Sequence, residues 1–87
     1  MDFEFDPTKS TANLKKHGLD FVAAQALWTD PDRLEIPARS IDEPRTQVIG
    51  RIGDLVRSAL STHRGGRIRI VSVRRARDEE KAAYLQD

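Results

Sequence analysis

The segment Arg67-Ile68-Arg69-Ile70-Val71-Ser72-Val73 constrains this chain more than any other. Its β-branched residues fall on both faces of an extended backbone, which fits a strand inside a sheet better than one at its rim. His63-Arg64-Gly65-Gly66 stands just before it, and paired glycines supply the positive φ angles that a tight hairpin needs. A second strand, Leu55–Thr62, is therefore expected to run antiparallel beside it. Gly53-Asp54 marks another turn, and Thr46–Ile52, with Val48, Ile49 and Ile52, forms the strand before it. Leu34-Glu35-Ile36 alternates in the same way, and Pro37 sets it near an edge or end. Residues 38–44 read as a polar loop closed by Pro44.

The first part of the chain reads as helical. Phe3-Glu4-Phe5 alternates as a short first strand. Asp6-Pro7 then has the form of a helix start, with Asp as N-cap and Pro at the first helical position. The helix is expected to end at His17, where Lys15, Lys16 and His17 suit the negative end of the helix dipole and Gly18 can adopt a left-handed cap. Asp20 caps a second helix through about Trp28, with Phe21, Ala24, Leu27 and Trp28 in one apolar stripe. A last helix spans Asp78–Gln86, acid-rich in its first turn. The order is β-α-α-β-β-β-β-α. This is an α+β domain with a small antiparallel sheet and helices packed on one face. At 87 residues the chain is one domain, residues 1–87.

Charge is divided unevenly along the chain. Residues 1–44 carry nine acids and five bases, whereas residues 45–87 carry ten bases and five acids. Between 45 and 77 there are nine arginines, no lysine and one acid, Asp54. Such asymmetry points to a polyanionic partner, and the planar guanidinium fork suits phosphate. The absence of cysteine excludes disulfide scaffolds, thiolate metal sites and Cys nucleophiles. No apolar run reaches the roughly 18 residues a membrane span requires. The Met-Asp-Phe-Glu-Phe-Asp start is not that of a secretory signal, which leaves the cytoplasm as the expected compartment.

The chemistry-bearing residues are Lys15, Lys16, His17, His63, Arg64, Arg67, Arg69, Arg74, Arg75, Arg77 and Tyr84. Two isolated histidines without a carboxylate cluster make a poor metal-ligand set, and no metal or other cofactor is expected. There is neither a Gly-x-Ser-x-Gly elbow nor a glycine-rich phosphate loop. Metal-free cleavage of RNA remains. RNA carries its own nucleophile in the 2′-hydroxyl, so the protein must supply a base, an acid and cations for the phosphate. Histidine can both take and give a proton near neutral pH, and arginine can clamp the phosphate. Strand alternation puts Ile68, Ile70, Ser72 and Arg74 on one face, and Arg67, Arg69, Val71, Val73 and Arg75 on the other. With Ile68 and Ile70 toward the helices, Arg67, Arg69 and Arg75 would line the open face, unless twist or a bulge reassigns Arg74 or Arg75. Glu80 and Tyr84, at i and i+4, would reach the same target. Each candidate also has a structural reading. His17 can cap a helix end, Arg74 and Arg75 can pair with Glu79 and Glu80, and Tyr84 can belong to the core.

The ordered set of motifs resembles BrnT-type toxins. Phe3-Glu4-Phe5-Asp6-Pro7-x-Lys9, Asn13-Leu14-x-Lys16-His17-Gly18 and Phe21 with Ala24 are similar to that family's N-terminal signature. Ile49-Gly50-Arg51, Thr62-x-Arg64-Gly65, the run Arg67 to Ala76, and Glu80-x-x-x-Tyr84 are similar to its second half. The chain departs from the pattern at Phe5, where the family often has Trp, and at Ser61, where an aromatic is common. It departs also in the polar Val56-Arg57-Ser58-Ala59 segment and at Arg77 in place of a Thr N-cap. The resemblance implies a RelE-like fold and a ribonuclease toxin of a type II toxin–antitoxin system. Carried over by position, it implies functional roles for Lys16, His17, Arg64, Arg74, Arg75 and Tyr84; the expected catalytic set is His17, Arg64, Arg74, Arg75 and Tyr84, and the basic residues Lys15, Lys16, Arg67 and Arg69 are expected to contact RNA. The implied partner is a BrnA-type antitoxin with a ribbon-helix-helix part, joined in a heterotetramer that reaches operator DNA only through the antitoxin. RNA, free or associated with the ribosome, is the implied substrate. Two other readings stand beside this one: a non-catalytic nucleic-acid-binding regulator with an Arg-rich sheet face, and a protein whose basic face receives an acidic antitoxin segment.

Overall fold

The computed structural model describes residues 1–39 and 41–86; Ser40, within the expected loop 38–44, and Asp87 lie outside them. The elements are β1 (Phe3–Glu4), α1 (Pro7–His17), α2 (Phe21–Ala24), a 3-10 segment (Gln25–Thr29), β2 (Leu34–Ala38), β3 (Arg45–Ile52), β4 (Leu55–Arg64), β5 (Arg67–Arg75) and α3 (Asp78–Leu85). Among the described residues five strands form one sheet in the order β1-β5-β4-β3-β2. The class is α+β.

Local signals fix α1. Asp6 Oδ1 accepts from the Thr8 N–H at 2.9 Å, Pro7 opens the helix, and Gly18 closes it at φ 76° with its N–H on the Leu14 carbonyl. Its buried residues are polar: Ser10 and Asn13. The Ser10 hydroxyl accepts from the Phe21 N–H at 2.9 Å. Asn13 donates to the Leu19 carbonyl at 2.7 Å and accepts from the Val73 N–H at 3.3 Å. These bonds seat α1 on the α2 turn and on β5, and satisfy backbone groups that would otherwise be orphaned.

The apolar stripe lies beside α1. Phe21, Ala24, Leu27 and Trp28 pack on Val48, Ala59, Ile68, Ile70 and Val73. Phe5 meets Phe21 and Phe3 meets Trp28 edge-to-face, with ring centroids 5.8 and 5.1 Å apart. Gly50 permits the approach of the 3-10 segment, because a Cβ there would stand 3.2 Å from both Leu27 Cδ2 and Asp30 Oδ2.

Four expectations are corrected. The sheet is mixed rather than purely antiparallel: β1 runs parallel to β5, with Phe3 opposite Ile68 and Glu4 opposite Arg69. β1 and β5 are not joined by a hairpin, since helices and three strands lie between them, so no tight turn imposes the antiparallel pairing. The second helix is one α-helical turn that tightens into the 3-10 segment after Ala24. The helices do not share one face. α1 and α2 cover the face of Val48, Ala59 and Val73, whereas α3 lies on the opposite face, where Glu80 bonds Gln47 and Arg74. Finally, Leu60 pairs with Ser72 but Ser61 pairs with Ile70, so Val71 is an extra residue in β5. This bulge inverts the alternation after it. Arg75 therefore joins the α1 face, and Arg74 joins Arg67 and Arg69 on the other.

Candidate active site

The expected site residues fall in three places. The first is the C-terminus of α1. Lys15 and Lys16 are exposed on its last turn, and His17 is half-buried beside them. Arg57 of β4 donates from Nη1 to the His17 carbonyl at 3.1 Å. A cation at this end meets the negative pole of the helix dipole. Arg75 stands directly opposite Arg57 across the ladder, on the same face. It borders a cleft of about 220 Å³ shared with Asp54, Asp78 and Lys81. Among the described residues no carboxylate lies within 4.0 Å of either guanidinium.

The second place is the tip of the β4–β5 hairpin. Gly65 and Gly66 make the turn at φ 54° and 80°, and Arg64 and Arg67 face each other across it. Arg64 reaches Glu43 at 3.4 Å, and Arg69 reaches Glu4 of β1 at 3.7 Å. His63 is exposed.

The third place lies under α3. Arg74 gives two parallel hydrogen bonds to Glu80, at 2.7 and 2.9 Å. Gln47 joins Glu80 to Ser58 with bonds of 2.6 and 2.8 Å. Glu80 also accepts from the Arg77 N–H, half of a capping box that replaces the missing Thr cap. Tyr84 does not reach the same target as Glu80. Its hydroxyl donates to Asp30 Oδ2 at 2.6 Å, and Arg51 sits over its ring, 5.9 Å from the centroid. That hydrogen bond to Asp30 raises the Tyr84 phenol above its ordinary value. Burial pushes the Asp30 carboxyl up, but Tyr84, the N–H groups of Arg51 and Asp32, and the Arg51 charge hold it below its ordinary value.

One hollow does not gather these groups. Arg64 lies six residues along β4 from Ser58, the partner of Arg74. That is roughly 20 Å of strand. Arg75 and Arg74 are neighbours in sequence but point to opposite faces. Arg64, Arg69 and Arg74 each have a carboxylate partner. His17 and Arg75 are brought to one end of the molecule, with Lys15 and Lys16. Arg57, Asp30 and Gln47 carry no sequence signal of these contacts: strand register sets the neighbours of Arg57 and Gln47, and the turn after the 3-10 segment sets those of Asp30. Among the described residues no three His, Asp or Glu side chains come together as a metal-ligand set.

Residues 5–80 match the family model of the ribonuclease toxin BrnT of type II toxin–antitoxin systems. The chain belongs to the BrnT family. The match includes His17, Arg57, Arg64, Arg74 and Arg75, and stops short of Tyr84. A BrnT toxin of a type II system is a ribonuclease with a protein antitoxin as partner. The comparison with curated proteins finds no match. No helix among the described residues is long and apolar enough to cross a membrane.

Acid is expected to loosen α3 in this BrnT chain. The Arg74 hydrogen bonds lower the Glu80 carboxyl from 4.5 to about 2 against the opposing effect of burial, with help from the Arg77 N–H and Gln47. Because the folded value is the lower one, the contribution is complete above about pH 5 and is lost as pH falls toward 2. Solvent screening reduces it to about 1–2 kcal/mol. The ring signals of Tyr84, the one tyrosine, report the change by NMR titration, and Glu80→Gln should remove the acid-dependent part.

Proposed function

We propose that this chain is a metal-independent endoribonuclease whose chemistry is centred at the C-terminus of α1. The 2′-hydroxyl oxygen attacks phosphorus and loses its proton to a base, while the bond to the 5′-oxygen breaks and that oxygen gains a proton. The products are a 2′,3′-cyclic phosphate and a 5′-hydroxyl. His17 is assigned to proton transfer, since an imidazole can serve both as base and as acid in such a reaction. Arg75 holds the scissile phosphate, and Lys15 and Lys16 hold the flanking backbone. Arg67 and Arg69, with Arg64, form a second RNA contact at the hairpin tip. Arg74, through Glu80, and Tyr84, through Asp30, are assigned to fastening α3 to β5 and to the turn after the 3-10 segment.

The observation that carries this reading is the joint placement of His17 and Arg75, with no carboxylate within 4.0 Å of the Arg75 guanidinium among the described residues. An arginine without an internal counter-ion is available to a phosphate. In the cell, we assign the chain to the cytoplasm as a growth inhibitor neutralised by a BrnA-type ribbon-helix-helix antitoxin in a heterotetramer.

The test is incubation of purified chain with RNA, with and without EDTA. Cleavage is expected in both, leaving 2′,3′-cyclic phosphate ends. RNA retained on the protein but uncut would replace this reading with that of a non-catalytic nucleic-acid-binding regulator. No RNA affinity at any salt concentration would leave only the antitoxin-binding role.

A further inference from the structure

We propose that Arg57 is a further phosphate-binding residue, forming with Arg75 a two-guanidinium clamp for one RNA phosphate; this rests on the ribonuclease reading above. Three observations point to it. Arg57 and Arg75 are a direct cross-strand pair on one face of β4 and β5. Like charges directly opposite one another destabilise a sheet, so the pair stands at a cost in the folded chain. An anion between them reverses the sign of that interaction.

The second observation concerns orientation. Arg57 Nη1 is held by the His17 carbonyl at 3.1 Å. That bond aims the planar group along the end of α1 and places it against the same turn that carries the His17 side chain. Lysine, with one point charge, cannot both hold that carbonyl and present a second planar edge. The third is an unmet donor. Arg57 Nε is buried and has no hydrogen-bond partner among the described residues. Buried donors are rarely left unpaired; Arg45 Nε is orphaned in the same way, so the missing partner adds to the cost of the cross-strand pair, and the pair is what locates the anion. A phosphodiester presents two non-bridging oxygens to a guanidinium edge, which accepts them in parallel. Asp54 and Asp78 border the cleft of Arg75 without pairing to it within 4.0 Å.

The experiment uses a short 2′-O-methyl oligoribonucleotide, which binds but has no nucleophile. Its affinity is measured against salt for the wild-type chain, Arg57→Gln, Arg57→Lys and Arg75→Gln. Arg57→Gln is expected to weaken binding about 10-fold and to flatten the logarithmic salt slope by about 0.7, the value for one phosphate contact on a single strand. Arg57→Lys should restore the slope but only part of the affinity. In the wild-type chain, the Arg57 Nε–H signal in NMR should shift as the oligonucleotide is added, which needs no variant to fold. An unmoved Nε–H signal, or a folded Arg57→Gln chain with unchanged affinity and slope, overturns the clamp. Cleavage of ordinary RNA by wild type, with Arg57→Gln equally active, defeats the clamp and leaves the ribonuclease reading standing. A wild-type chain that never cuts, yet binds through Arg57, defeats the ribonuclease reading and leaves the anion site.

Discussion

His17→Ala is expected to lower the rate of RNA cleavage by about 100- to 10,000-fold, the usual contribution of a positioned proton-transfer group. The fold should survive, because the interaction that engages residue 17 with the sheet is made by its backbone carbonyl, which alanine keeps. Alanine is also the best helix former, so the last turn of α1 persists. Loss of a basic group at the helix C-terminus costs about 0.3–1 kcal/mol. Single-turnover cleavage and a thermal melt on the same preparation separate the two effects. A variant that melts normally and cuts at the wild-type rate would move proton transfer to another residue.

The second large effect is on stability. Asn13→Ala removes both the donor to the Leu19 carbonyl and the acceptor for the Val73 N–H. Asn13 is only 7% exposed, so water cannot readily replace it. Each buried group left unpaired costs about 1–3 kcal/mol, so for the two the loss should be about 2–6 kcal/mol. That is a large share of the roughly 5–15 kcal/mol that holds a domain folded. Urea unfolding followed by Trp28 fluorescence measures it. A shift in midpoint too small for one unpaired group would mean that α1 is seated by other contacts. Activity should fall with stability here, since Asn13 positions the helix that ends in His17.

What could be read from the sequence was local. Asp6-Pro7 and Gly18 bound α1 because capping depends on the residues themselves, and the paired glycines at 65 and 66 make the hairpin for the same reason. The strand positions were legible from alternation. What could not be read depends on pairing across the sheet. The extra Val71 in β5 leaves no trace in a run that is β-branched on both faces, yet it decides which way Arg74 and Arg75 point. The face taken by α3 was hidden too, because that helix buries no residue and so has no apolar stripe to orient it. Arg57 became visible only when register placed it against Arg75 and beneath the end of α1. The arginines crowded between residues 45 and 77 resolve into three separate places, with internal carboxylates holding Arg64, Arg69 and Arg74.

Asp30 has a consequence for how the molecule responds to force. β2 begins opposite Ile49, so the rim of β3 beyond it is bare, and Asp30 Oδ2 fills that rim by taking the Arg51 N–H at 2.8 Å. The same oxygen takes the Tyr84 hydroxyl from the far side of the sheet. One carboxylate thus rivets the turn after the apolar layer to the terminal helix. Loosening either element slackens the other, although they lie on opposite sides of the β-sheet.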